Sequence, residues 1–345
     1  MAYTTIDKPS DYFETILYSG NGGTQSITSL DFQPDWCWLK ARAGANVSDH
    51  RSVDSVRGAT KELFQNATSP EETNTNGLTA FNSNGFSLGS SGGTNNSNTT
   101  YASWNWKAGT SFTNDASATG IGSIDSAGSV NQDAGFSIVS FTGGGANATI
   151  KHGLTSKPSM IIVKARGQAS TWSVYHASLG ATKFLRLEGN NAVGTEAGWW
   201  NNTEPTSSVF SIGTNHYANT QIAYCFSEKQ GYSKFGSYIG NGNADGTFVY
   251  LGFKPAWLLV KSTATNDWIL HDTKRSPHNV SNVTLFPNGS DADVTNTIYN
   301  QDILSNGFKA RTTHARLNGS GVSYIYMAFA ENPFVTSTGV PATAR

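Results

Sequence analysis

Charge is scarce in this sequence. Only 14% of the 345 residues are Asp, Glu, Lys or Arg, and the formal net charge is −1, where an ordinary globular chain carries about a quarter charged residues. So weak a field does not gather phosphates, which argues against nucleic acid as a partner. No basic amphipathic stretch addresses a membrane surface. Cysteine is nearly absent: Cys37 and Cys225 stand far apart and make no disulfide framework, so folding in a reducing compartment is expected. No apolar run approaches the roughly 18 residues of a membrane span, and the opening stretch MAYTTIDKPSDYF has no apolar signal core, so neither membrane insertion nor a secretion signal is expected.

Aromatics, by contrast, are abundant, with 9 Trp, 13 Tyr and 18 Phe. A disordered chain has few aromatics and much charge, so this one folds. Its surface must then be built mainly from Asn, Thr, Ser and Gly, which suits a β protein that works outside cells or on a particle.

One unit recurs three times. QPDWCWLKARAG (33–44), KPSMIIVKARGQ (157–168) and KPAWLLVKSTAT (254–265) each run from Pro through an apolar stretch to Lys, giving Pro34/Lys40, Pro158/Lys164 and Pro255/Lys261. A glycine cluster precedes each: Gly20-Asn21-Gly22, Gly143-Gly144-Gly145 and Gly240-Asn241-Gly242. After it come SVDSVRG (52–58), SVYHASLG (173–180) and ILHDTKR (269–275), then KELFQN, KFLRLEGN and VTLFPNG. SNGFSLG (83–89), SSVFSIG (207–213) and SNGFKAR (305–311) follow. YASWNWKAG (101–109), QIAYCFSEK (221–229) and YIYMAFAEN (324–332) close the copies. Blocks in one order, three times, are an internal repeat.

The segments are short, rich in Ile, Val, Phe, Trp, Tyr and Thr, and punctuated by Gly, Asn and Pro, with no sustained helical period. The expected fold is all-β, three tandem β-sandwich, jelly-roll-like domains. The boundaries read as an N-terminal arm (1–11), copy 1 (12–108), a Gly/Ser-rich linker (109–133), copy 2 (134–230), copy 3 (231–334) and a C-terminal tail (335–345). MIIVK and WLLVK should be central strands buried on both faces. The glycine clusters read as hairpin turns, with Asn-Gly pairs supplying positive φ. Three copies could form a threefold plate or a rod, and the sequence leaves this open.

Chemistry-bearing motifs are missing: no HExxH, GxSxG, phosphate-binding loop or metal-spaced Cys pair occurs. The expectation is therefore no enzyme and no catalytic residue. His50, Asp54, His176, His271 and Asp272 fall in corresponding blocks, but Asp54, His176 and Asp272 change type at one place, so they read as exposed polar positions at strand ends. Lys40, Lys164 and Lys261 read as solvated strand-edge lysines. Asp245, Asp291 and Asp293 are the weak candidates for a structural Ca²⁺, and no other cofactor is expected. Trp199 and Trp200, in the loop-like EAGWWNNTE, either stack on a glycan or pack against the protein.

The PxW-apolar-Lys strand, the junction GYSKFGSYIGNGNADGTFVYLGFKPAW (231–257) and the closing YIYMAFAENPFVTSTGVPATAR (324–345) resemble tandem-repeat virion structural proteins of marine bacteriophages, which are tail-fibre-like or decoration proteins. That resemblance covers nearly the whole chain. It implies virion location after synthesis in the host cytoplasm, and a role in the tail or tail fibre contacting host-surface glycans; the alternative is a capsid decoration protein bound to the phage shell. Expected partners are the chain itself, as a homotrimer, other virion proteins and host-surface polysaccharide. The resemblance supplies no site residues.

Overall fold

Pro34, Pro158 and Pro255 sit at the start of the strands Trp36–Gly44, Met160–Ala165 and Phe253–Ser262. A residue that cannot donate a ladder hydrogen bond is tolerated there, at a strand entrance or bulge; the ladder around Pro255 is indeed irregular. The chain, described over residues 3–342 in a computed structural model, is all-β, with helix restricted to short single turns.

Each Pro-led strand pairs on one side with the closing strand of its copy and on the other with the block that follows it. The registers coincide. Trp36 faces Trp106 and Asp54; Met160 faces Phe226 and His176; Trp257 faces Phe329 and Asp272. In copies 1 and 3 the edge beyond the closing strand is Phe13–Ser19 and Ser233–Ile239. In copy 2 the same position is held by Phe136–Thr142.

A second, smaller sheet lies in each copy: Gln25–Ile27 with Gly85–Leu88, Ala148–Lys151 with Val209–Ile212, and Phe248–Tyr250 with Gly307–Ala310. At Gly85 and Gly307 the partner backbone comes so close that a Cβ would sit 1.8 Å from Ile27 O or 2.0 Å from Val249 O, so only glycine fits.

Residues 109–133, expected to be a linker, form structure instead. Thr110–Asn114 and Ser126–Asn131 add two strands to the sheet of copy 2, outside Phe136–Thr142. Their Ser and Gly content hid a half-exposed edge whose few apolar residues, Phe112 and Val130, pack on the copy 2 core. The glycine clusters also differ from expectation. Gly20-Asn21-Gly22 crosses from one sheet to the other, clasped by Asn95, which takes Asn21 N–H and donates to Asn21 Oδ1; Asn318 does the same for Asn241. Ser83-Asn84 does turn a hairpin between Leu78–Asn82 and Gly85–Leu88, with Gly85 the first strand residue, paired with Asn82.

The continuous apolar runs have a double use, because successive strand residues point to opposite faces. Trp36, Trp38, Met160, Ile162, Trp257 and Leu259 enter one cluster shared by all three copies. Their neighbours Cys37 and Leu39, Ile161 and Val163, Leu258 and Val260 enter three private clusters, one per copy. The expected tandem of self-contained sandwiches is therefore replaced by three sandwiches around a common core. At its centre the equivalent Trp106, Phe226 and Phe329 meet, with ring centroids 5.7–6.5 Å apart in largely edge-to-face geometry.

Candidate functional site

The polar residues singled out in the sequence lie at the boundaries between copies, and they are buried rather than exposed at strand ends. Asp54 Oδ2 is 2.5 Å from Arg57 Nε, and Asp272 Oδ2 is 2.5 Å from Arg275 Nε, with all four side chains inaccessible to solvent. Each carboxylate also receives a donor from the neighbouring copy: Tyr224 Oη to Asp54 Oδ2 at 2.7 Å, and Trp104 Nε1 to Asp272 Oδ2 at 3.1 Å. Buried charges held this way are paired and hydrogen-bonded, as burial demands. The third boundary is built differently. The equivalent donor is Met327, which has no proton to give; Leu179 replaces the arginine, and His176 Nε2 lies 3.1 Å from Tyr326 O. The change of residue type that spoke against shared catalysis is thus a matched change of all partners at one boundary.

Lys40, Lys164 and Lys261 are also buried, not solvated. Their ammonium groups donate to carbonyls, with no carboxylate in contact. Lys40 reaches Ala41 O, Ser48 O and, in copy 3, Ser290 O. Lys164 reaches Ser170 O and, in copy 1, Thr68 O. Lys261 reaches Ser262 O and Ala264 O. Burial pushes all three down to about 8. A further ring links the copies: Trp172 Nε1 donates to Phe64 O and Trp268 Nε1 to Arg186 O. His50, bonded through Nδ1 to Trp38 Nε1, lies against the Phe286 carbonyl without reaching the geometry of a formed hydrogen bond. His271 is clamped between Thr284 Oγ1 and Gln301 Nε2.

Trp199 and Trp200 close the short helix Ala197–Trp200 and pack inward. Trp200 is buried against Tyr175, and half-buried Trp199 packs against Phe184, with His216 edge-on to it. Both rings are used in packing, Trp200 fully and Trp199 in part. Of the cation candidates, Asp245 is paired with Lys309 and Arg311, and Asp293 with Arg42 and Arg275; Asp291 is exposed. Among the described residues no group of three His, Cys, Asp or Glu could hold a metal.

Exposed aromatic surface lies elsewhere. On the strand Phe248–Tyr250 the buried Val249 faces Phe308, while Phe248 and Tyr250 point outward, 44% and 48% exposed. Ile239, 63% exposed, adjoins them through Thr247 Oγ1, which donates to Ile239 O at 2.8 Å. At the other end, Tyr250 forms one wall of a groove of about 290 Å³, opposite Tyr3, Glu228, Gln230 and Lys234. The Lys234 ammonium stands 5.5 Å from the Tyr250 ring centre, and Tyr3 Oη donates to Gly252 O at 2.7 Å, 3.5 Å from Tyr250 Oη. An aromatic wall, a carboxylate, an amide and an ammonium in one open groove can hold a polyhydroxylated ligand. None of these residues was singled out from the sequence. The signal was there: TFVYL replaces the polar QSITS and ATIKH of the other copies.

No curated protein matches this chain. A family model described as "Domain of unknown function (DUF7483)" matches residues 8–333, and the chain belongs to that family.

Proposed function

We propose that this chain is a non-enzymatic structural protein of a bacteriophage particle, exposed on the tail or tail-fibre apparatus, where it contacts glycans of the host surface. The observation that carries this reading is the use made of the ionisable groups. These groups are spent inside the protein: Asp54 and Asp272, each paired with its arginine, accept from the neighbouring copy, Lys40, Lys164 and His176 also reach across copies, and His271 and Lys261 are buried within copy 3. The outward surface is mostly polar, and the aromatic strand of copy 3, with Phe248, Tyr250 and the adjoining Ile239, gathers exposed apolar groups in one place. A rigid scaffold with a small outward binding face suits attachment better than turnover.

A second reading, capsid decoration, has its own support. The N-terminal arm and the C-terminal tail come together where the Asp7 carboxylate receives the Ser337 backbone N–H and hydroxyl, and Tyr3 packs edge-on to Phe334 at the end of copy 3. Two short arms brought to one place make a docking element for a shell. Antibody-gold labelling of intact particles separates the readings. Label on the tail supports attachment; label spread over the head overturns it in favour of decoration; particles without label, from a lysate that contains the chain, overturn both.

A further inference from the structure

We propose that the outward face of Phe248–Tyr250, with the adjoining groove at Tyr3, Glu228 and Lys234, is a binding site for uncharged saccharide. This names the ligand-contacting residues of the attachment reading above and rests on it for the biological setting.

The three copies act as controls for one another. The residues that pair with Phe86, Phe210 and Phe308 are Ile27, Ile150 and Val249, all buried. The flanking outward positions are therefore equivalent: Ser26 and Thr28 in copy 1, Thr149 and Lys151 in copy 2, Phe248 and Tyr250 in copy 3. Copies 1 and 2 form the same small sheet without an aromatic at either place, so the fold does not require one. With 44% and 48% of their surface left in water, Phe248 and Tyr250 contribute less to folding than buried rings would. Two large rings side by side on one strand face are about 7 Å apart. Their exposed surface offers apolar contact to a flat ligand, and the groove, with the Lys234 ammonium over one face of the Tyr250 ring, supplies polar groups at one end.

The choice of ligand follows from those polar groups. Glu228 and Lys234 place one negative and one positive group in the groove, so it has no net charge with which to select a strongly ionic ligand. The Gln230 side chain makes no hydrogen bond within the described residues, leaving a donor and an acceptor to meet hydroxyls. The combination of ring faces with neutral and balanced hydrogen-bonding groups matches pyranose rings, which are apolar on their faces and hydroxylated at their edges.

The test uses the full chain and a panel of neutral gluco-, galacto- and manno-oligosaccharides, read by saturation-transfer NMR and then titrated. The informative variant is Phe248→Ser combined with Tyr250→Thr, which installs the copy 1 residues at the same register and should leave a cooperative thermal transition with a modestly lowered midpoint. Tyr217→Ala, an exposed ring elsewhere, is the control. We expect at least one panel member to bind the wild type and the control alike, and the double variant to lose about tenfold or more, equivalent to about 1.4 kcal/mol. The site is overturned if no oligosaccharide binds, or if the double variant binds as well as wild type. It is also overturned if the double substitution changes the chain's solution mass instead, which would make the face a self-association surface. None of these outcomes bears on where gold label falls on the particle, so the site and the particle location fail separately.

Discussion

The Tyr224 hydroxyl of copy 2 stands 2.7 Å from Asp54 Oδ2 of copy 1, and the same carboxylate oxygen lies 2.5 Å from Arg57 Nε. One buried acid thus serves its own copy and its neighbour. Tyr224→Phe removes the donor to Asp54 together with the weaker contacts of the hydroxyl with Ser52 Oγ and Arg57 Nη2, and should lower stability by about 1.5–3 kcal/mol, the range for a hydrogen bond to a charged group. Asp54→Asn leaves Arg57 buried with weaker compensation and should cost about 3–5 kcal/mol. Urea unfolding of the two variants and of the double variant checks this; additive losses would mean that Tyr224 and Asp54 act independently.

The three buried lysines predict a rise in stability on the alkaline side. Each folded-state value is near 8, below the ordinary 10.5. Between those limits the unfolded chain holds protons that the folded chain has released, so unfolding becomes less favourable as pH rises, by up to about 1.4 kcal/mol per pH unit for each lysine. Burial raises the thiols of Cys37 and Cys225, which act in the opposite sense once unfolded-state thiols ionise near pH 9. The gain should therefore be clearest between pH 8 and 9. Urea unfolding at pH 7.5, 8.5 and 9 reads the slope, and Lys164→Met should flatten it by about a third.

Acid should weaken the fold. His152, His176 and His216 are pushed down to about 4 and His271 to about 3, with His50 also well below its ordinary 6.5, in every case chiefly by burial. From pH 6.5 downward the unfolded chain takes up protons on these side chains and the folded chain does not, so stability falls with pH through that window. Asp35, Glu62 and Glu188, raised by burial, oppose this and are fewer. The thermal midpoint should drop steadily between pH 6.5 and 4.5; a flat profile would mean that the rings are accessible to protons in the folded state.

Trp200→Ala should act on stability, not on ligand binding. The ring is buried between Tyr175 and His216, and removing a packed aromatic costs about 3–5 kcal/mol. Thermal melts together with the oligosaccharide titration check this. A fully stable variant that had lost binding would return the Trp pair to the role of a platform.

The sequence by itself determined the threefold repetition and the order of the repeated strands, though not the two edge strands within 109–133, because a period of two and turn chemistry are local properties. It also determined that MIIVK and WLLVK are buried on both faces, since such runs leave no face for water. What it could not determine is what buries them. Trp36 and Cys37 are adjacent in the chain, yet one enters the shared core and the other a private one. Only the closure of three copies around Trp106, Phe226 and Phe329 decides this. The same closure turned Lys40 and Lys164 from expected solvated edges into buried donors, because their carbonyl partners include Ser290 and Thr68 from other copies, while Lys261 is buried against carbonyls of its own copy. It also gave meaning to the departures His176 and Leu179 in copy 2 and Met327, far along the chain in copy 3, which together make one boundary. Burial of a charge depends on partners brought from a distance, and those are fixed by tertiary structure.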